Sequence, residues 1–311
     1  METTRPLISC IIPTLNRATL LKEAIESTIS QTYNNWELLI IDDGSTDHTK
    51  QVVNEYIKKD SRIKYFINDK KGQASARNFG LLRSHGQYIA FLDDDDISLP
   101  RRFESQLRAS QKSGNRFIVS GYQVRDRKTG DLISENRLEL KGAGAGFPSR
   151  WLISKDLLDQ AGWFKENYPS MEEIELSYRI SAFETFVLHD EIVAILYQTE
   201  KSVSQNKEKN LKGMVLMMDQ LSSEMLPQEA GWWYYIIARN CYIQSKNNEA
   251  KDYFKLAFQL DKRINFRVIN YYYMITKYFT KINFIRKINY KIFSILGKYK
   301  FPRLVNHSIV S

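Results

Sequence analysis

The sequence predicts an α/β fold, a mostly parallel sheet with helices on both faces, followed by a C-terminal helical region. In the first half of the 311 residues, short apolar runs alternate with segments of helical spacing. The runs are apolar at consecutive positions, which is typical of strands that are covered on both faces. Such an alternation favours parallel strands joined by crossover helices. The apolar runs are Leu7–Ile12, Trp36–Ile41, Ile63–Ile67, Tyr88–Leu92 and Phe117–Ser120.

Segments with helical periodicity separate these strands. In Leu20–Ile29 the apolar residues recur at positions 20, 21, 25 and 29, and Pro100 suits the first turn of a helix over Pro100–Gln111. Ligands of open parallel sheets bind at the carboxyl ends of the strands. We therefore expect the chemistry in the loops that follow the strands. The other two helical segments are Thr49–Ile57 and Ala74–Leu82.

The second half of the chain is less regular. Residues 125–150 are a polar, Gly-rich connection, and Trp151–Leu158 and Ile174–Ser181 have helical spacing. Phe186–Tyr197 predicts a pair of short strands, and Gln198–Asn210 predicts a loop.

From about residue 211 onward the pattern is helical. Trp232–Ile243 and Asn248–Leu260 resemble one tetratricopeptide-type hairpin, although an ordinary pair of helices explains them equally well. We place the boundary between a first domain, residues 1–210, and a helical C-terminal region, residues 211–311.

The formal net charge of +9 is concentrated at the C-terminus. Residues 261–311 contain eleven Lys and Arg and one acidic residue, Asp261, so residues 1–260 are close to neutral. Isoleucines at helical spacing with lysines around them predict a basic amphipathic helix that suits an anionic membrane surface. A helix packed on the body with a solvated Lys face explains them equally well. These isoleucines are Ile285, Ile288, Ile292 and Ile295.

Several classes of protein are not expected. No run approaches the roughly 18 apolar residues of a spanning helix, and Pro13 and Asn16 interrupt any signal-peptide core. Two cysteines, Cys10 and Cys241, cannot form a disulfide framework, which favours a reducing compartment. No nucleic-acid motif accompanies the basic tail. We expect a cytoplasmic protein that meets a membrane, if at all, from its inner face.

Two acidic segments follow predicted strands. At Asp42–Asp47, a tight turn at Gly44 would leave the carboxylate of Asp43 facing a cleft, where it can accept hydrogen bonds from a nucleobase. Asp47 fits better as the cap of the next helix. Four adjacent carboxylates, Asp93–Asp96, repel one another unless a cation neutralises them, and hard oxygen ligands favour Mg²⁺ or Mn²⁺. A solvated acidic turn is the alternative for Asp93–Asp96.

A third segment, Lys71–Asn78, opens the helix after the third strand. Gly72 permits close backbone approach, and a helix N-terminus favours a diphosphate. Arg77 lies one turn further on and can face the same site. The segment also fits an ordinary helix start.

Together with Pro13-Thr14-Leu15-Asn16-Arg17 after the first strand, these segments resemble the catalytic domain of glycosyltransferase family 2 over about residues 6–205. The resemblance implies the GT-A fold, a nucleotide-diphosphate-sugar donor with uridine as the default base, a divalent metal, Mn²⁺ or Mg²⁺, and inversion of the anomeric centre. It also implies a nucleotide-sugar half at about 1–124 and an acceptor half at about 125–210. The implied nucleotide-sugar residues are Pro13, Thr14, Asn16, Arg17, Asp43, Gly72, Arg77, Asp93 and Asp94, and the implied metal ligands are Asp95 and Asp93.

The same resemblance puts the catalytic base at the start of a helix in the second half. Glu173 occupies this position where the family usually has Asp, and Glu172 is the next choice. The alternative is a capping box from Ser170 to Glu173, which needs no catalysis. The aromatic residue that usually precedes Asn16 is replaced by Leu15, and Gln198–Ser202 contains no His, so Lys201 is the candidate for the diphosphate there.

The sequence therefore predicts an inverting, metal-dependent glycosyltransferase. The Gln-x-x-Arg-Trp motif of processive synthases is absent after the base region, so we expect transfer of a single sugar to a glycan or lipid-linked acceptor in surface polysaccharide synthesis. The alternative is a non-catalytic nucleotide-sugar-binding or scaffold protein.

Overall fold

The structure is a computed structural model that describes residues 5–136, 145–198, 206–262 and 309–310. It divides into two compact units, Met1–Gln205 with His307–Ser311 and Asn206–Asn306. All strands of the described residues belong to the first unit, and the described part of the second unit is helical. The predicted α/β fold and C-terminal helical region are both confirmed.

Ten strands of the described residues join in one sheet, most of whose neighbours run parallel. They are β1 (Ile8–Thr14), β2 (Trp36–Asp42), β3 (Ile63–Ile67), β4 (Tyr88–Phe91), β5 (Ile97–Ser98), β6 (Phe117–Asp126), β7 (Leu132–Asn136), β8 (Trp151–Ser154), β9 (Val187–Gln198) and β10 (Ile309–Val310). The order across the sheet is β10-β9-β6-β8-β4-β1-β2-β3, with β5 paired to β9 and β7 paired to β6.

The helices of the first unit alternate with these strands. A short 3-10 turn at Pro148–Arg150 precedes β8. The helices are α1 (Ala18–Ile29), α2 (Thr49–Ile57), α3 (Gln73–Arg83), α4 (Arg102–Ser113), α5 (Lys155–Ala161) and α6 (Glu172–Ser181).

The central strands are buried because apolar side chains cover both faces of the sheet. All seven residues of β1 and all seven of β2 are buried. Ile11 and Leu39 belong to the apolar cluster on one face, and Ile12 and Leu38 belong to the cluster on the other. Side chains alternate between the faces of a strand, so consecutive apolar residues are what a sheet covered on both sides requires.

Helix α3 lies very close to β1. A Cβ atom on Gly80 would come 2.4 Å from the Cγ2 atom of Ile11, so only glycine allows this approach. The contact fixes α3 against the sheet. Its N-terminus, which follows Gly72, lies at the carboxyl end of β2, where the backbone N–H of Gly72 donates to Asp43.

The prediction of a helix over Trp151–Leu158 is wrong in its first half. Residues Trp151–Ser154 form β8, which lies antiparallel between β4 and β6, and α5 begins only at Lys155. The indole of Trp151 packs edge-on against the rings of Phe91 and Phe117. A short apolar run fits a strand or a helix equally well. Here the position between β4 and β6 in the sheet favours the strand.

Three other boundaries also differ from the prediction. Phe186–Tyr197 is not a pair of strands, because β9 runs unbroken alongside β6, with shifts in the β6–β9 register near Gly121. β6 continues to Asp126 and pairs with β7, so part of the predicted polar connection is a hairpin. Residues 199–205 lie outside the described part of the chain, and the predicted loop gives way to a helix at Lys207.

The described part of the second unit contains the helices α7 (Lys207–Leu221), α8 (Pro227–Ile243) and α9 (Asn247–Leu260). α8 and α9 pack through small buried residues, Ala238, Ala250 and Ala257, and through the stacked rings of Tyr234 and Tyr253. The predicted basic amphipathic helix at 285–295 lies outside the described residues. None of the described helices is long and apolar enough to cross a membrane.

Candidate active site

The candidate site lies at the carboxyl ends of β1, β2 and β4, which are neighbours in the sheet. Thr14 at the end of β1 is paired with Asp42 at the end of β2, and Ile11 is paired with Phe91, the last residue of β4. The acidic stretch Asp93–Asp96 begins two residues after Phe91. Parallel pairing therefore brings together three loops that are far apart in the sequence.

Arg17 joins two of the four clustered carboxylates. Its Nη1 atom lies 2.8 Å from Oδ1 of Asp94 and 2.7 Å from Oδ2 of Asp95. The hydroxyl of Thr14 donates to Oδ2 of Asp94 at 2.8 Å. The structure thus brings the predicted residues Thr14, Arg17, Asp94 and Asp95 into one network, in which a guanidinium supplies positive charge to the carboxylates.

Burial and mutual repulsion raise the pKa values of three of the four carboxylates. Burial raises the pKa of Asp94 to about 6, although Arg17 and Thr14 act in the opposite direction. Burial and the charge of Asp93 raise the pKa of Asp95. Burial and the charges of Asp93 and Asp95 raise the pKa of Asp96 well above its usual range. Such a cluster favours the binding of a further cation.

The sequence prediction missed Ser149 and the role of Asp96. The hydroxyl of Ser149 donates to Oδ2 of Asp96 at 2.6 Å and accepts from the backbone N–H of Asp93 at 3.0 Å. Ser149 thereby fixes both ends of the acidic stretch. Ser149 is 53 residues from Asp96 and lies in the segment that the sequence predicted as a polar, Gly-rich connection, so no local spacing indicated it.

Arg77 connects the acidic stretch to the candidate base region. Its side chain is 2% exposed, with Nη2 at 2.8 Å from Oδ1 of Asp93 and Nη1 at 3.1 Å from Oε1 of Glu172. The Nε2 atom of Gln73 donates to the same oxygen of Asp93 at 3.2 Å. Both carboxylates compensate the charge of this buried guanidinium, so Arg77 joins the two halves of the site.

Glu173 lies in the first turn of α6. Burial and the charge of Glu172 raise the pKa of Glu173 to about 7, although Arg77 opposes the shift. A carboxyl group with a pKa near 7 can exchange a proton at neutral pH, as a general base must. The alternative capping box requires Ser170 at the N-cap position, but Met171 occupies it, with a φ angle of 70°, and the Met171 side chain makes no capping hydrogen bond.

The predicted nucleotide side is built around Asp43. One oxygen of its carboxylate accepts from Nδ2 of Asn68 and the other from the backbone N–H of Gly72, both at 2.8 Å. Asp43 therefore ties the end of β2 to the start of α3. Gly72 has a φ angle of 119°, and a Cβ atom there would meet nothing within 4 Å, so the space in front of this helix start is open.

Two predicted residues stand apart from the carboxylate cluster. The side-chain oxygen of Asn16 accepts from the backbone N–H of Thr46 at 2.7 Å, so Asn16 joins the loops after β1 and β2. Pro13 is buried within β1. Leu15, which occupies the position of the usual aromatic residue, is 44% exposed. Lys201 lies outside the described residues.

The donor set at Asp93 and Asp95 fits a hard divalent cation. Carboxylate oxygens are the preferred ligands of Mg²⁺ and Mn²⁺, and the guanidinium of Arg17 already serves as a cation there. Among the described residues, no three His, Cys, Asp or Glu side chains are placed to hold a metal ion by themselves. Oxygens of a bound diphosphate would have to complete the coordination.

The sheet with its acidic edge has the GT-A fold. The sequence profile of "Glycosyl transferase family 2" matches residues 9–165, about half of the chain. The chain belongs to this family. It is 33% identical over 217 residues to UDP-Glc:alpha-D-GlcNAc-diphosphoundecaprenol beta-1,3-glucosyltransferase WfgD of Escherichia coli, covering 66% of this chain and 83% of that protein.

Other relatives match over shorter stretches. The putative teichuronic acid biosynthesis glycosyltransferase TuaG of Bacillus subtilis is 35% identical over 125 residues, which are 40% of this chain and 50% of TuaG. An uncharacterized glycosyltransferase of Rickettsia bellii is 39% identical over 135 residues, 43% of this chain, and the match spans only 19% of that much longer relative.

Solved structures share the fold at low sequence identity. TarS 1-349 of S. aureus in complex with UDP-GlcNAc has a TM-score of 0.60 and 17% identity, covering 83% of this chain and 82% of that chain. The mannosyltransferase PcManGT of Pyrobaculum calidifontis, in complex with GDP-Man and Mn²⁺, has a TM-score of 0.61 and 13% identity, covering 96% of this chain and 85% of that chain.

Proposed function

We propose that this glycosyltransferase moves a single sugar, with inversion, from a UDP-sugar to a glycan or lipid-linked acceptor in surface polysaccharide synthesis. The observation that carries the proposal is the double contact of Arg77, which joins Asp93 of the acidic stretch to Glu172 of the base region. A transferase must hold donor and acceptor within bonding distance, and this contact unites the residues expected to serve each of them. WfgD, whose name includes a UDP-sugar and a diphosphoundecaprenol acceptor, supports the choice of substrates.

In this proposal the residues of the candidate site have separate roles. Asp43, Asn16 and Pro13 line the nucleoside pocket, and the open helix start after Gly72 receives the diphosphate. Asp95 and Asp93 would hold Mn²⁺ or Mg²⁺, which, when bound, neutralises charge on the leaving diphosphate.

Glu173 accepts the proton of the acceptor hydroxyl as that oxygen attacks C1 of the donor sugar. The C1–O bond to the diphosphate breaks at the same time, and attack from the opposite face inverts the anomeric centre. The raised pKa of Glu173 keeps this carboxylate basic enough for the transfer near neutral pH.

The test combines donor turnover with product stereochemistry. UDP-, GDP- and dTDP-sugars are incubated with Mn²⁺, Mg²⁺ or EDTA and a synthetic GlcNAc-diphospho-lipid, and the released nucleotide and the anomeric configuration are measured. We expect metal-dependent UDP release, an inverted product and a loss of about 10³-fold in kcat for Glu173→Gln. The exposed acid Glu55 on α2 provides the matched control, Glu55→Gln. Turnover that survives in Glu173→Gln, or a retained anomeric configuration, would contradict the mechanism.

The basic tail is proposed to bring the enzyme to the inner face of an anionic membrane. This depends on the charge concentrated in residues 261–311. Flotation of the intact chain with anionic vesicles, compared with a chain that ends after Leu260, tests it. Equal flotation of the two chains would reject the membrane role.

A further inference from the structure

Phe147 is an exposed aromatic residue whose backbone conformation is costly. Its φ and ψ angles are 49° and 85°, in the left-handed region, which a bulky side chain rarely adopts. The residue is also 49% exposed, so burial offsets little of this strain. Strained residues of this kind persist where the surrounding structure fixes them, and they are concentrated at binding and catalytic sites.

The chain on both sides of Phe147 is anchored to the candidate site. On one side, the backbone N–H of Ala145 donates to the hydroxyl of Ser177 in α6, at 3.1 Å. On the other side, Ser149 accepts from the backbone N–H of Asp93. Phe147 therefore lies between the helix that begins with the candidate base region and the acidic stretch.

One side of the Phe147 ring is supported by the protein. The ring centroid is 5.4 Å from that of Tyr122, and the two planes are inclined by 53°. Tyr122 is buried in β6, and the guanidinium of Arg150 lies over its ring at 5.1 Å. Tyr122 thus supports the Phe147 ring on one side, and the remaining surface of the ring faces solvent.

A pyranose ring complements such a surface. Its C–H groups carry partial positive charge and collect on one apolar face, whereas the face of an aromatic ring is negative. The hydroxyls at the edge of the sugar stay free to meet carboxylates such as Glu173. A nucleobase fits less well, because Phe147 is anchored to α6 rather than to the end of β2, where Asp43 lies.

We propose that Phe147, seated on Tyr122, is the platform on which a pyranose ring of the acceptor stacks beside the base. This inference rests on the proposed function, because it takes a sugar-containing acceptor as given. It assigns Phe147 a role in acceptor specificity and none in donor binding.

Saturation-transfer NMR tests the platform without turnover. The probes are methyl α- and β-glycosides of glucose, galactose, mannose and N-acetylglucosamine, added to the full chain loaded with UDP and Mg²⁺. At least one glycoside is expected to bind to wild type and to Phe147→Tyr. Its saturation-transfer signal should be about tenfold weaker in Phe147→Ala and in Phe147→Leu. Phe183 follows the end of α6 and is 56% exposed, so Phe183→Ala is the control. Its saturation-transfer signal should equal that of wild type.

The outcomes separate the two proposals. No signal from any glycoside in wild type, or an undiminished signal in Phe147→Ala and Phe147→Leu, overturns the platform. An equal loss of UDP affinity in Phe147→Ala, measured by calorimetry, also overturns it and assigns the ring to the nucleotide. Ring-dependent glycoside binding in an enzyme that turns over no UDP-sugar would uphold the platform while the proposed reaction fails.

Discussion

Buried carboxylates at the two ends of the central strands have pKa values that are shifted in opposite directions. At the amino end of β2, Glu37 accepts from the hydroxyl of Ser9 and the backbone N–H of His85, both at 2.7 Å, and from Nζ of Lys64 at 2.8 Å. Burial acts to raise the pKa of Glu37, yet these hydrogen bonds lower it. At the carboxyl end, burial raises the pKa of Asp94 to about 6 even though Arg17 pairs with it.

The difference teaches which buried carboxylates hold the fold and which are available for chemistry. The protein supplies three donors to Glu37, so this carboxylate is satisfied without a ligand. Burial and neighbouring acids raise the pKa values of Asp94, Asp95 and Asp96, so a bound cation would stabilise the charged forms of these carboxylates. Substitutions at four residues test this comparison.

The largest expected effect is on turnover. Asp95→Asn should lower kcat by about 10³-fold, because it removes the candidate metal ligand. Glu37→Gln should leave kcat within about threefold of wild type, because Glu37 lies at the other end of the strands. Both variants are assayed for UDP release at saturating UDP-sugar and Mn²⁺. A loss in Glu37→Gln as large as in Asp95→Asn would show that the two ends are not functionally distinct.

The same two substitutions should change stability in opposite directions. Glu37→Gln breaks hydrogen bonds to a charged, buried group and should cost about 2 kcal/mol of unfolding free energy. Asp95→Asn relieves repulsion with Asp93 and should stabilise the metal-free protein by about 1 kcal/mol. Urea unfolding in EDTA measures both values.

The pH dependence of this stability difference follows from the raised pKa of Asp95. Below the pKa of the unfolded state, Asp95 is protonated in both states, so Asp95→Asn gains nothing. As the pH rises, the native wild type loses stability because it must ionise a buried acid. The gain of Asp95→Asn should therefore be larger at pH 8 than at pH 4, and the reverse trend would refute the assignment.

Arg17 should compete with the metal ion. Arg17→Ala removes the guanidinium from Asp94 and Asp95 and should tighten Mn²⁺ binding to the nucleotide-free enzyme by about tenfold. Arg17→Lys keeps the positive charge but not the planar donor group, so the Mn²⁺ affinity of this variant should lie between those of wild type and Arg17→Ala. Electron paramagnetic resonance of free Mn²⁺ measures these affinities. Weaker binding in Arg17→Ala would mean that Arg17 positions the carboxylates rather than shields them.

The smallest expected effect is a shift in the pH profile. Because Glu173 must be deprotonated to act as a base, kcat/KM should fall about tenfold per pH unit below an inflection near pH 7. Glu172 contributes to the raised pKa of Glu173, so Glu172→Gln should move the inflection down by about one unit. The measurement is kcat/KM from pH 5.5 to 9. An inflection that does not move in Glu172→Gln would assign the titration to another group.

Much of the fold could be predicted because local patterns specify it. Consecutive apolar residues in β1 and β2 indicated strands covered on both faces, and the helices between them followed from spacing. The errors fell at β8, at β7 and along β9, where pairing with distant segments decides between strand, helix and loop. For the site, the acidic run Asp93–Asp96 stood out because charge after a buried strand is unusual.

The sequence by itself determined the sheet, the helices that alternate with it and the acidic loops at its carboxyl edge, because periodicity and composition are properties of neighbouring residues. Only the tertiary structure decided that Arg77 joins Asp93 to Glu172, that Ser149 fixes the acidic stretch and that Phe147 stands strained between them. These contacts connect segments tens of residues apart. Their geometry depends on how the strands pair and how closely the helices approach, which no local pattern records.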